Sequence, residues 1–148
     1  MLIINYTLTK IIGHHHPAAF GKSLELKTEP LTVAILDAGG TLVSLQRQDG
    51  AGMIRPDVAI SKAWGAVAMG KSSRALGEDA QNRPAFISAL NTLAQGKIVS
   101  VPGGVLIRNS DNEIVGAVGI SGDLSDVDEQ CAVFGIEAAG LVADAGGL

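Results

Sequence analysis

The sequence predicts an α+β fold, a mostly antiparallel sheet with helices on its faces. Short β-branched, apolar runs are set apart by clusters of Gly, Pro, Asn and Asp. The segments with helical spacing do not alternate one by one with strands, as parallel βαβ units would require. At 148 residues the chain matches the size of one domain, so residues 1–148 are read as a single unit that buries its core without staples. Hydrophobic residues reach 47% while aromatics are 3%, beside 19 glycines, so the core must be Val, Ile, Leu and Ala with backbones in close approach.

Taken in order, Leu2 to Leu8 is apolar enough for a strand, and Gly13-His-His-His-Pro17 interrupts any helix begun at Thr9. Pro17 suits the first turn of a helix over Ala18 to Leu26. Leu31 to Leu36, the turn Asp37-Ala-Gly-Gly40 and the run Thr41 to Arg47 predict a hairpin. A phosphate-cradling loop would instead need a helix after its glycines. From Asp57 to about Leu76, Ala59, Ala63, Ala66 and Gly70 recur at helical spacing, with Asp57 as cap. This small-residue face predicts close packing on a sheet or partner helix.

A second helix is expected between Pro84 and Gln95, where Phe86, Leu90 and Leu93 share a face. Strands follow at Ile98 to Val101, Val105 to Arg108 and Ile114 to Ile120, with Pro102-Gly-Gly104 marking an edge, bulge or bend. The last helix starts near Ser125 or Asp126 as cap and sets Val127, Cys131, Phe134, Ala138 and Leu141 on one face.

Charge narrows the function. A net −4 and a pI near 5.2 leave no basic surface for binding nucleic acid through its phosphates. The longest apolar run, Val58 to Ala75, is broken by Lys62, Gly65, Gly70, Lys71 and Ser72, short of the roughly 20 residues a membrane span needs. The lone Cys131 and the lack of a secretory pattern at the start give the expectation of a cytoplasmic protein.

Imidazole is the usual protein ligand for haem iron, which makes His14, His15 and His16 the axial-ligand candidates. Adjacent histidines point different ways on any regular element, so a solvated tract is the competing reading. Asp123, Asp126, Asp128 and Glu129 lack the register of a calcium loop and are better explained as helix-capping acids. Gly116, Gly119 and Gly122 do not form the dinucleotide fingerprint. Cys131, on an apolar helix face, reads as an inert thiol. Arg47, Arg55, Lys62 and Arg108 are the cations nearest the glycine motifs and candidates to neutralise a carboxylate ligand.

The ordered set Asp37-Ala-Gly-Gly40, Gln46-Arg-Gln-Asp-Gly50, Pro102-Gly-Gly104, Gly119-Ile-Ser-Gly-Asp123 and Asp128-Glu-Gln-Cys131 resembles the GlcG/HbpS-like family over about Leu31 to Leu141. The family is also found as the C-terminal domain of PduO-type adenosyltransferases. The resemblance implies a profilin-like domain, a central antiparallel sheet of about five strands flanked by helices, that assembles into homo-oligomers. It implies binding of haem or a related tetrapyrrole, with haem degradation within the family's range. Pro102, Gly103, Gly104, Ser121, Gly122 and Asp123 transfer as pocket or interface linings, with Arg108 as a cation for the cofactor. The family commonly begins with an uninterrupted amphipathic helix, from which Gly13-His-His-His-Pro17 departs. Two other readings stay open. One is a non-catalytic accessory or scaffold protein of glycolate or cobalamin-dependent diol and glycerol metabolism, partnering a dehydratase-pathway enzyme or a sensor protein. The other is a small enzyme acting on a carboxylate or aldehyde through Arg108 and Asp123.

Overall fold

The computed structural model describes residues 2–146, with side chains from Ile11 onward. In chain order the elements are α1 (Leu2–Leu26), β1 (Thr32–Asp37), β2 (Leu42–Arg47), α2 (Arg55–Met69), α3 (Ser73–Asn82), α4 (Pro84–Leu93), β3 (Gly104–Arg108), β4 (Ile114–Ser121), α5 (Ser125–Ala138) and β5 (Val142–Asp144). The strands form one open sheet in the order β2-β1-β4-β3-β5, every neighbour antiparallel. The α+β architecture expected from the sequence is therefore present.

Strand alternation sends side chains to two separate cores. On one face Val33, Ile35, Val105, Ile107, Val118 and Ile120 pack with Ile11 and Ala19 of α1 and Cys131, Ala132 and Ile136 of α5. On the other, Ala34, Leu36, Leu106 and Ala117 meet Ala59, Ala63 and Ala66 of α2. The small-residue face read in α2 is thus a packing face. It lies so close to the sheet that a Cβ at Gly119 would run into the Ala59 carbonyl, and one at Gly104 into that of Lys62. β2 is an edge strand, and its Leu42, Val43 and Leu45 are exposed.

Several local expectations are corrected. Leu2 to Leu8 is helix, and Pro17 lies inside α1 instead of opening a new helix. Proline removes the amide that would bond the carbonyl four residues back, here that of Gly13, and packing of α1 on α5 and the sheet outweighs that loss. The helix expected over Asp57 to Leu76 is two helices. Gly70 ends α2 in a left-handed conformation (φ 67°), and Ser72 starts α3 by accepting from the Ala75 amide. Neither Asp57 nor Ser125 or Asp126 is a cap, since Ile54 and Leu124 hold those positions and make no side-chain cap bond.

Ile98 to Val101 is not a strand: the Ile98 amide bonds the Asn91 Oδ1 instead of a ladder partner. The buried face of α5 is Asp128, Cys131, Ala132, Gly135 and Ile136, whereas Phe134 is exposed. β5 had no counterpart in the sequence reading.

Candidate functional site

The first candidate group is the histidine tract. Successive residues of an α-helix are rotated by about 100°, so the three consecutive rings meet three environments. His14 is exposed. His15 is fully buried between α1 and α5, where its Nε2 donates to the Ala132 carbonyl at 3.2 Å. Gly135 makes room for it, because a Cβ there would fall on the imidazole. His16 is 1% exposed, shares a 2.9 Å hydrogen bond through Nε2 with Ser44 Oγ on β2, and stacks on Phe20.

Burial, and for His15 also the neighbouring His16, lowers both pKa values to about 4, so both rings are neutral at pH 7. Their Nδ1 atoms are buried without a hydrogen-bond partner. His15 and His16 are thereby spent on docking α1 to α5 and β2, and this pins the rotation of the helix so that His14 faces outward. On the same outer face Gly13 and Gly21 have open space where a Cβ would stand, and Pro17 between them is exposed.

The second group forms where β3 begins and β4 ends. Lys62 and Asp128 are 2% and 1% exposed and paired at 3.1 Å. Lys62 Nζ also donates to the Ile120 carbonyl at 2.9 Å, while Asp128 Oδ1 accepts from the Asp123 amide at 2.9 Å. Burial draws the ammonium down from its ordinary value and lifts the carboxyl, and the attraction between the two opposes both shifts. α2 and α5 cover opposite faces of the sheet, so this pair ties the two helical layers together around its end. Gly103 opens the route. Its φ of 123° and missing Cβ leave the space that the Lys62 side chain fills.

The residues singled out from sequence divide accordingly. Gly103, Gly104, Ser121, Gly122 and Asp123 do come together around Lys62 and Asp128, with Pro102 next to them in the chain. Ser121 Oγ accepts from Arg55 Nη1 at 3.1 Å. Gly122 packs against the Pro30 carbonyl and Leu31. Asp123 accepts from the Glu29 and Leu124 amides, which hold its carboxyl below the usual range. The space at Gly103 and Gly104 is filled by Lys62 and Ser73.

Arg108 stands apart, at the far end of β3, bonded to Asp144 at 2.9 Å and to the Asn112 carbonyl. From sequence Asp128 reads as a helix-capping acid; the structure instead buries it against a lysine partner. The available signal was a lysine on the same helical face as Ala59, Ala63 and Ala66. Cys131 is fully buried, and burial pushes its thiol up to about 11.

A family model described as "Haem degrading protein HbpS-like" matches residues 17–137. The chain belongs to the HbpS-like family. Among individual relatives, the corrinoid adenosyltransferase PduO of Salmonella typhimurium is 33% identical over 121 residues, 82% of this chain. The chain spans only about a third of that relative's length, 35%. A solved structure of a PduOC:haem complex superposes with a TM-score of 0.79 at 29% identity, over 92% of this chain and 94% of that one. A structure of HbpS has a TM-score of 0.73 at 23% identity, over 86% of this chain and 85% of that chain, a likeness that shows the fold alone.

Among the described residues no three His, Cys, Asp or Glu side chains cluster to hold a metal ion, and no helix is long and apolar enough to cross a membrane. Of the three imidazoles, that of His14 is the one solvent can reach, and it would be the residue to hold a haem iron.

Proposed function

We propose that this protein binds haem or a related tetrapyrrole along the outer face of α1, with His14 as the iron ligand. The observation that carries the reading is the division of labour within the tract: His15 and His16 are locked inside, and His14 is presented outward beside Gly13, Pro17 and Gly21. Small side chains there let a planar macrocycle approach the helix. Membership in the HbpS-like family and likeness to the haem-bound PduOC structure support it. Haem, when bound, would supply a redox-active iron. In this reading the cluster at Pro102–Gly104 and Ser121–Asp123 is scaffold, and Arg108 anchors β5. Assembly into homo-oligomers and a cytoplasmic setting belong to the same proposal.

Titration of hemin into the purified protein tests it. A saturable Soret shift that weakens by about tenfold in His14→Ala and persists in His16→Ala is expected, and no shift in the wild type would overturn the reading. The relation to PduO favours a second reading, an accessory protein of corrinoid-dependent metabolism. Co-purification with a dehydratase or its reactivating factor, in the absence of hemin binding, would put it first.

A further inference from the structure

On the face of the sheet opposite α1, α4 packs against α3 and stands off from α2. The result is a groove of about 230 Å³ lined by Trp64, Ala68 and Met69 of α2, Leu90 and Leu93 of α4, and Ile98. Ile98 is buried and closes the floor, and Leu93 is 81% exposed at the rim. The chain leaves α4 through two left-handed residues, Gln95 (φ 57°) and Gly96 (φ 79°), and returns so that Lys97 Nζ lies 5.3 Å from the centre of the Trp64 ring. Lys97 is exposed and, among the described residues, has no carboxylate partner.

An apolar slot with one uncompensated cation held beside the Trp64 ring that forms its wall suits a ligand of matching polarity. We infer that this groove binds a small carboxylate with an aromatic or aliphatic body, the body against Trp64, Leu90 and Met69 and the carboxylate at Lys97. The volume is on the order of that which holds one or two aromatic rings, and burying such a body supplies the affinity that a lone exposed ion pair would not. The cation also rests on the indole face, so it is held at the site before a ligand arrives. The site lies across the sheet from His14 and does not depend on haem binding.

Trp64 is the one tryptophan, which makes it the reporter. Titrating 2-naphthoate into the full-length, hemin-free protein should quench Trp64 saturably. Lys97→Glu should weaken 2-naphthoate by about tenfold and leave the neutral 2-naphthamide within about twofold, and Leu93→Asp should abolish binding of both. The proposal is overturned by an unquenched Trp64, by equal affinity for 2-naphthoate in Lys97→Glu, or by a Leu93→Asp protein whose only change is a smaller oligomer, which would give the groove to a second copy.

Discussion

Lys62 Nζ lies 3.1 Å from Asp128 Oδ2 with both side chains almost completely buried, and the bond joins helices on opposite faces of the sheet. Breaking such a pair by removing one partner strands a charge, which costs roughly 3–5 kcal/mol, whereas removing both leaves none. Lys62→Met and Asp128→Asn should therefore each lower the urea midpoint more than the double variant Lys62→Met/Asp128→Asn does. Additive losses in that cycle would show that the two groups do not interact.

Acid should release α1. His15 and His16 have folded-state pKa values lowered to about 4 from 6.5, so below pH 6.5 the unfolded chain binds protons that the folded one refuses. Their contribution is fully present above pH 6.5 and is lost as pH falls toward 4, by roughly 3 kcal/mol for His15. Urea unfolding at pH 7.5 and pH 5 should show the loss, and His15→Leu should flatten the pH dependence. A wild-type midpoint equal at the two pH values would contradict it.

Pro17 is exposed inside α1 and denies the Gly13 carbonyl its helical donor. Pro17→Ala should raise stability by about 1–3 kcal/mol, read as a higher melting temperature. A lower one would mean that the proline is matched to the native path of the helix.

Cys131 is fully buried with its thiol pushed up to about 11. It should not react with Ellman's reagent at pH 8 in the native state, and should release one equivalent in urea. Rapid native labelling would show that the α1–α5 core opens readily.

Elements bounded by strong local punctuation were legible in the sequence. The Asp37-Ala-Gly-Gly40 hairpin, α4 behind Pro84, and the strands on either side of Asn109–Asn112 lie where turn chemistry places them. Gly70 misled because it continues the spacing of Ala59, Ala63 and Ala66 while serving as a left-handed cap. The face of α5 was misassigned because Gly135, which carries no apolar signal, is buried to admit His15. β5, at three residues, is too short to show a period. The site was less legible. Lys62 and Asp128 are 66 residues apart, and nothing local in either segment announces the other. The histidines were visible as a tract, but which ring faces outward depends on the docking of α1 against α5 and β2.

The assignment of His14 as iron ligand is tested most directly by chemical rescue. Hemin-loaded His14→Gly should lose the wild-type Soret position and regain it on addition of free imidazole, while His16→Gly should keep it throughout. A His14→Gly protein with the wild-type spectrum and no response to imidazole would contradict the account and move the ligand elsewhere.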